Sequence, residues 1–399
     1  MQAQINIGLF GHVDHGKTSL TKALTGKWTD THSEEIKRGI TIKLGYATIN
    51  FYKNEKTGQY LPENLIAPEQ KKDFILSRPV SFLDAPGHET LMATMIASVN
   101  LVDAALLIIA ANEPCPQAQT AEHLSVLDLM GVKNIIIVQN KIDLVSKEKL
   151  IEHYQQIKKF VKGTIAENAP IIPVSANYNT NIDILVKMIE NNFSTPSKKI
   201  DLPPKMYIVR SFDINKPGTK IDELKGGVFG GSIIQGKIKI GDVLSLRPGI
   251  IRKQKDKEVF LPMELEVKSL STEKEQLEYA LAGGLIGIGT ELDPALTKQD
   301  ALVGQLFGDE KELGELILEP TIEYKLIHRE GFQNTGFKID EAVVLSVGSA
   351  TTIGIVKKIK DKTITLKLKR GVYASKEDKI AISRKLDKSW RFVGVGKLV

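Results

Sequence analysis

The chain is poor in cysteine and lacks long hydrophobic runs, and each absence excludes a class of structure. Its 399 residues include one cysteine, Cys115, so neither an intramolecular disulfide nor a cysteine-based zinc site can form. No segment approaches the roughly 18 consecutive apolar residues of a membrane helix, and the N-terminus MQAQINIGLF has no basic start before a long apolar stretch. We therefore expect a soluble protein of the reducing cytoplasm, with no export and no membrane partner.

The excess of positive charge is small and is concentrated near the C-terminus. The formal net charge is +6, and residues 313–399 alone contain 17 Lys and Arg against 10 Asp and Glu. Such a segment is either a solvated basic face or a surface for a polyanion, and the count alone leaves both interpretations open.

Two regimes of hydrophobic pattern divide the chain, whose length suggests two or three domains. Up to about Asn192, strand-like apolar runs alternate with helical stretches, which predicts a mostly parallel sheet with helices on both faces. From Lys205 onward, short apolar stretches separated by Gly, Pro, Asp and Lys predict all-β structure. A linker at Ser194–Pro204 and a weaker break near residue 312 give predicted domains at 1–203, 204–312 and 313–399.

Residues Gly11–Thr18, GHVDHGKT, form a complete G-x-x-x-x-G-K-[ST] phosphate-binding loop after the apolar run INIGLF. In such a loop the backbone N–H groups point into one concavity, the lysine reaches the β and γ phosphates, and the final hydroxyl binds Mg²⁺. The two histidines of the loop are expected to shape its backbone rather than to act chemically. Residues predicted to contact the nucleotide here are Asp14, His15, Gly16, Lys17, Thr18 and Ser19.

The sequence NKID, Asn140–Asp143, follows the apolar strand NIIIVQ and indicates which base is bound. A carboxylate at Asp143 can accept from both N1–H and the exocyclic amino group of guanine, a donor pair that adenine lacks. Lys141 can lie over the purine face, and Asn140 can tie this loop to its neighbours. A helix N-terminus capped by Asp143 is the purely structural alternative, and the preceding phosphate loop favours guanine.

A shorter motif, SAN at Ser175–Asn177, follows the apolar run IIPV. It would bring the Ala176 N–H toward guanine O6. Three residues are a weak signal, and the same sequence is also typical of a helix N-cap.

The motif DAPGH, Asp84–His88, follows the strand VSFL and predicts a sensor of the γ-phosphate. Asp84 would hold Mg²⁺ through a water, and Gly87 has an unhindered N–H for the γ-phosphate, whose loss lets the following segment reorganise. His88 is then placed to orient the attacking water. A surface turn built by Pro86-Gly87 is the structural alternative.

Between these motifs lies RGITI, Arg38–Ile42. Thr41 is the natural second hydroxyl for Mg²⁺, available only while the γ-phosphate is present, which predicts an order-to-disorder switch. The string itself is unspecific, and its position between the phosphate loop and DAPGH supports the interpretation.

In this order the motifs resemble the translational GTPases, a family that includes elongation factor Tu, over the whole length of the chain. The resemblance implies a P-loop GTPase domain of α/β type followed by two β-barrel domains, and a site for GTP or GDP with Mg²⁺. In that family the γ-phosphate state sets how the barrels dock and whether an aminoacylated tRNA end can bind.

Within the family, the chain most resembles the gamma subunit of archaeal and eukaryotic translation initiation factor two. The resembling features are an insertion at Leu44–Ser81, the strings KGGVFGGSIIQG and GGLIGIGTELDPALTKQD, and the C-terminal SWRFVGVGKLV. The resemblance implies a GTP form that binds methionyl initiator tRNA, alpha and beta partner subunits, and delivery to the small ribosomal subunit with release on GTP hydrolysis.

Two details of this resemblance concern the insertion. Tyr46 matches a family position near the terminal adenosine of the tRNA, where an aromatic ring can stack on an unpaired base; an ordinary strand residue is the alternative. The family commonly carries a cysteine-rich zinc knuckle there, but residues 46–80 contain no cysteine. Mg²⁺ is therefore the only metal expected.

Two other functions remain open from the sequence. One is an elongation-type carrier, including the selenocysteine-specific factor, which shares the three-domain plan. The other is a ribosome-associated regulatory GTPase that binds no aminoacyl-tRNA.

Overall fold

The computed structural model describes residues 1–399 except 30–40, 42, 89–90, 198, 217, 255–256, 328–334 and 387–388. The chain divides into two compact units, Ala3–Pro196 and Ser197–Val399 with Met1–Gln2. The bounds of the three predicted domains remain predictions.

A seven-stranded sheet forms the centre of the first unit. Its strands are β1 (Ile5–Phe10), β2 (Gly45–Asn54), β3 (Tyr60–Pro62), β4 (Phe74–Asp84), β5 (Ala104–Ala110), β6 (Ile135–Asn140) and β7 (Ile171–Pro173). The spatial order is β3-β2-β4-β1-β5-β6-β7. Strands β4, β1, β5, β6 and β7 are parallel, whereas β2 and β3 pair antiparallel at one edge. The mostly parallel sheet predicted from the alternating pattern is confirmed, and the predicted insertion supplies its antiparallel edge.

Helices alternate with these strands, as the crossover connections of a parallel sheet require. The described helices are α1 (Lys17–Thr25), α2 (Met92–Val99), α3 (Ala118–Met130), α4 (Lys147–Val161) and α5 (Ile182–Asn192). Every residue of β1 and of β5 is buried, because the sheet is covered on both faces. Among the described residues, no helix is long and apolar enough to cross a membrane.

The strand order explains why motifs far apart in sequence meet. Strands β1, β4, β5 and β6 run parallel, so their carboxyl ends lie along one edge of the sheet. The phosphate loop follows β1, β4 ends at Asp84, β6 ends at Asn140, and Ser175 follows β7. The phosphate loop and the DAPGH, NKID and SAN motifs therefore begin at the edge where parallel α/β sheets bind ligands.

The second unit is all-β, as predicted. Its first strands are β8 (Lys205–Phe212), β9 (Val228–Gln235), β10 (Lys237–Lys239), β11 (Val243–Gln254), β12 (Lys257–Glu266), β13 (Ser269–Ser271), β14 (Gln276–Leu277), β15 (Tyr279–Leu281), β16 (Ile286–Gly289) and β17 (Leu306–Gly308). Eight of them form one antiparallel sheet in the order β12-β11-β17-β8-β9-β16-β13-β14, and β10 pairs with β15.

The C-terminal strands close on themselves. They are β18 (Glu315–Ile317), β19 (Thr321–Leu326), β20 (Ala342–Val347), β21 (Ala350–Lys360), β22 (Thr363–Leu368), β23 (Val372–Ala374), β24 (Ile380–Leu386) and β25 (Ser389–Leu398). Strands β19, β22, β21, β20, β24 and β25 form a closed barrel, and β18 pairs with β23. Closure removes the exposed strand edges that an open sheet would present. The barrel has its own hydrophobic core, distinct from that of the eight-stranded sheet.

A buried ion pair joins strand β4 to helix α5 in the first unit. Arg78 on β4 donates from Nε to Glu190 on α5 at 2.7 Å, and the two side chains are only 10% and 8% exposed. Arg78 also donates to Thr195, and Ser77 donates to the same Glu190 carboxylate. Removing one partner of such a pair leaves a buried charge without compensation.

We expect Glu190→Leu to destabilise the first unit by about 3 kcal/mol, because Arg78 loses its counter-charge. For a unit of this size, such a loss lowers the melting temperature by about 6 to 12 °C. Differential scanning calorimetry measures it, with the transition of the second unit as internal reference. The double variant Arg78→Met/Glu190→Leu should recover most of the loss, and a double variant as unstable as the single one would contradict this account.

Candidate functional site

Backbone conformation at the loop after β1 requires particular residues. Asp14 and Gly16 have positive φ angles of 61° and 87°, in the left-handed region. A Cβ atom on Gly16 would lie 2.4 Å from the Asn140 side-chain nitrogen. Glycine is therefore needed at position 16 both for its conformation and for the close approach of Asn140.

The side chain of Lys17 folds back over this loop. Its ammonium donates to the carbonyl oxygens of Gly11 at 3.2 Å and His12 at 2.8 Å, and the residue is buried. A Cβ on Gly87 would lie 2.3 Å from the Lys17 Nζ. The two residues predicted to contact the γ-phosphate, from different motifs, are thus in direct proximity.

The three predicted metal ligands meet at one point. The Thr18 hydroxyl donates to Asp84 at 2.7 Å and lies 3.1 Å from the Thr41 hydroxyl. Thr41 and Asp84 are both buried. Hydroxyl and carboxylate oxygens are the hard donors that Mg²⁺ prefers, so this donor set fits that ion.

A fourth residue, Thr29, also donates to Asp84, at 2.8 Å and to the same carboxylate oxygen as Thr18. Sequence reasoning missed it, since a single threonine in a polar stretch gives no signal. Of the RGITI motif, only Thr41 is described; Arg38, Gly39, Ile40 and Ile42 lie outside the described residues.

A cavity of about 380 Å³ opens beside these groups. Ten of the predicted site residues line it, namely Asp14, Gly16, Lys17, Thr18, Ser19, Thr41, Gly87, His88, Lys141 and Asn177. Two further lining residues, Val13 and Trp28, were not among the predicted contacts. His88 thus lies on the wall of the same cavity as the lysine and hydroxyls of the phosphate loop.

Asn140 joins three loops at the edge of this cavity. Its side-chain nitrogen donates to the His15 carbonyl at 3.0 Å, and its side-chain oxygen accepts the Ala176 N–H at 3.2 Å. The Ser175 hydroxyl donates to the Asp143 carboxylate. The NKID and SAN motifs are therefore held together, and the Ala176 N–H predicted to face guanine O6 bonds to Asn140 in this structure.

Some predicted residues do not face the cavity. The His15 imidazole is turned inward, with Nδ1 3.0 Å from the Ile108 carbonyl and Nε2 3.4 Å from the Glu113 carboxylate. Burial lowers the pKa of His15 to about 4, so the ring is neutral at neutral pH and the contact with Glu113 is not an ion pair. Tyr46 lies on β2 opposite Leu83, half-buried, and does not line the cavity.

A further histidine, His123 on α3, supports the phosphate loop from behind. Its Nδ1 accepts the Gly11 N–H at 2.9 Å, and the side chain is buried. A lone histidine within a helical stretch carries no motif, so the sequence did not reveal this contact. No group of three or more His, Cys, Asp or Glu able to hold a metal occurs among the described residues.

Two family models match the chain. The first, described as "Elongation factor Tu GTP binding domain", covers residues 2–195. The second, described as "Initiation factor eIF2 gamma, C terminal", covers residues 319–398. The first match spans the sheet and every motif of the candidate site, and the second spans the closed barrel.

Solved structures share the fold at low sequence identity. A selenocysteine-specific elongation factor of bacterial origin matches with a TM-score of 0.75 and 24% identity, and this chain spans 58% of its length. Translation elongation factor SelB from Methanococcus maripaludis, in complex with the GTP analogue GppNHp, matches with a TM-score of 0.74 and 24% identity, covering 100% of this chain and 79% of that one.

Curated relatives match along the whole chain. Translation initiation factor 2 subunit gamma of Methanococcus vannielii is 50% identical over 99% of this chain and 98% of its own length. The protein of the same name from Pyrococcus furiosus is 49% identical over 99% of this chain and 97% of its own. The chain therefore belongs to the family of translation initiation factor 2 gamma subunits and is a GTPase that binds guanine nucleotide.

Proposed function

We propose that the GTP form of this protein binds methionyl initiator tRNA and delivers it to the small ribosomal subunit, and that GTP hydrolysis triggers release. The observation that carries this proposal is the meeting of Thr18, Thr41 and Asp84 at one point, beside Lys17 and Gly87. Thr41 and Gly87 come from the two segments that a γ-phosphate would hold and that its loss would free. The site can therefore distinguish GTP from GDP.

In this proposal the phosphate loop binds the triphosphate. The N–H groups from Asp14 to Ser19 cradle the phosphates, and Lys17 pairs with the β and γ oxygens. Thr18 and Thr41 would hold Mg²⁺ directly, and Asp84 would hold it through a water. When bound, the ion offsets the negative charge of the β and γ phosphates.

His88 acts in hydrolysis by position. It lies on the cavity wall with Lys17 and Gly87, where it can orient a water toward the γ-phosphate. Phosphoryl transfer needs positioning and charge stabilisation more than covalent chemistry from the protein, so His88 need not be a strong base.

Asp143 recognises the guanine base, and Ser175 holds the Asp143 carboxylate in place for this contact. The hydroxyl of Ser175 fixes the exposed carboxylate of Asp143, leaving oxygen lone pairs for the guanine N1–H and N2–H groups. Lys141 has a positive φ of 60° and lines the cavity, which suits a side chain laid over the purine. Ala176 and Asn177 complete the base-binding edge.

Names of the relatives support the choice of partners. Each is a gamma subunit of translation initiation factor 2, which supports assembly with further subunits. In this proposal those are alpha and beta subunits, and the complex acts in the cytoplasm. Within the tRNA complex, Tyr46 would stack on the terminal adenosine. The proposed domains are 1–203 for nucleotide binding, with β-barrel domains at 204–312 and 313–399.

We expect methionyl initiator tRNA to bind the GTP form at least tenfold more tightly than the GDP form, because the switch segments depend on the γ-phosphate. Filter binding with each nucleotide measures this ratio, and equal affinities would contradict the switch. Competition by elongator tRNAs is the control. A protein that accepts all of them would be an elongation-type carrier, and one indifferent to the amino acid would be a regulatory GTPase.

Replacement of His88 by alanine should separate binding from chemistry. We expect His88→Ala to leave GTP affinity within a few fold and to slow single-turnover hydrolysis by ~10² or more, the range of a positioned catalytic group. Quench-flow measurement at saturating GTP tests this. Unchanged hydrolysis would remove His88 from its proposed role.

Changing one hydrogen-bond acceptor that faces the guanine base should alter which nucleotide the protein prefers. Asp143→Asn replaces a carboxylate oxygen by an N–H₂ donor, which suits the O2 of xanthine and opposes the N2–H₂ of guanine. We expect GTP binding to weaken and xanthosine triphosphate binding to improve, as measured by competition with a fluorescent nucleotide. Asp201→Asn, an exposed change outside the first unit, is the matched control. No gain for xanthosine triphosphate would show that Asp143 does not read the base.

A further inference from the structure

Gly11 begins the phosphate loop at the point where its strand ends. The pairing of β1 with β5 stops at Phe10, opposite Leu107. The Gly11 amide has therefore left the ladder and needs another acceptor, since a buried N–H without one is costly. His123 Nδ1 supplies that acceptor at 2.9 Å.

The charge state of His123 suits this task. Burial, and next the charge of Lys17, hold the pKa of His123 well below its usual range, so the ring is neutral. A neutral imidazole that accepts at Nδ1 carries its proton on Nε2. The ring also meets the Phe10 ring edge-on, with centroids 6.3 Å apart, which fixes its orientation.

The same glycine contacts the phosphate-binding lysine. While its N–H donates to His123, its carbonyl accepts from the Lys17 ammonium at 3.2 Å. A Cβ on Gly11 would lie 2.3 Å from the Ile108 carbonyl, so the peptide is tightly enclosed. Rotation of the Gly11 backbone would move the carbonyl on which Lys17 rests.

We propose that His123 is a positioning residue of the nucleotide site, which keeps the phosphate loop in its binding-competent conformation by accepting the Gly11 N–H. This inference rests on the nucleotide site proposed above. The His123 side chain is absent from the residues that line the cavity and acts through Gly11. If the phosphate loop adopts its binding-competent conformation for only part of the time, the apparent affinity for nucleotide falls by that fraction. The fall is the same for GDP and for GTP.

The expected signature differs from that of His88. Loss of the acceptor should weaken GDP and GTP equally, by about tenfold, the scale expected when a buried donor loses its partner. Once nucleotide is bound the loop is held by its ligand, so hydrolysis at saturating GTP should stay within about threefold of the wild-type rate. Replacement of His88 should instead leave nucleotide affinity nearly unchanged and slow hydrolysis at saturating GTP.

Asparagine and glutamine at this position make a matched pair. Both carry the same amide, but only His123→Asn places an oxygen where Nδ1 lies, whereas His123→Gln carries it one bond further along the side chain. We expect His123→Asn to bind within about threefold of wild type and His123→Gln to bind about tenfold more weakly. Ser125→Ala, on the same helix with its hydroxyl bonded to the Ala121 carbonyl, is the control for loss of a polar group away from the loop.

The experiment titrates the full chain with fluorescent mant-GDP and mant-GppNHp and adds single-turnover hydrolysis, with calorimetry to verify folding. Equal affinity of all variants, equal weakening by Asn and Gln, or a fall in saturated hydrolysis would each overturn the role of His123. Those outcomes leave the nucleotide site intact, because wild-type binding is measured alongside. Failure of the wild type to bind either probe would instead overturn the proposed nucleotide site.

Discussion

One buried carboxylate organises the candidate site. Asp84 is the last residue of β4. Among the described residues, β4 is the only strand of the first sheet that pairs with both the parallel β1 and the antiparallel β2. It accepts from Thr18 and Thr29 through one oxygen, and Thr18 in turn contacts Thr41. A charge buried this deeply requires several hydrogen bonds, and these bonds draw the phosphate loop and the segment before β2 to the same place.

Sequence patterns predicted the parallel sheet and the phosphate loop because these features depend on residues that are close together in the sequence. Alternating apolar runs give parallel strands, whose carboxyl ends must share an edge, so the cluster of Lys17, Gly87 and Asn140 follows from order alone. The phosphate-loop signature similarly requires Gly16, whose positive φ and contact with Asn140 leave no space for a side chain. In these positions a residue type and a backbone conformation imply each other.

Other features depend on contacts that no local pattern encodes. His123 and Thr29 reach the site through tertiary packing, and neither residue type is unusual in its own segment. The orientation of His15 could not be predicted from the sequence either, since a histidine in a loop can face the ligand or the core. The inward orientation follows from the Ile108 carbonyl, which lies on a different strand.

The insertion shows how a segment without cysteine is held. Residues 46–80 contain no cysteine, and in the described structure strand pairing and side-chain hydrogen bonds hold this segment. Strand β3 pairs with β2, Asn64 donates to the Ala23 carbonyl of α1 at 3.2 Å, and Asn50 donates to Glu63 at 3.1 Å. The insertion is thus tied both to the sheet, through β2, and to helix α1, through Asn64.

The position of Thr29 has a consequence for the stability of the Asp84 cluster. Thr29 donates to the Asp84 carboxylate itself, whereas Thr41 reaches the cluster through the Thr18 hydroxyl. Thr18 in turn donates to the same oxygen of Asp84 as Thr29 does. Loss of that single carboxylate would therefore remove the acceptor of two threonines at once, and Thr41 would then keep only a partner that has lost its own acceptor.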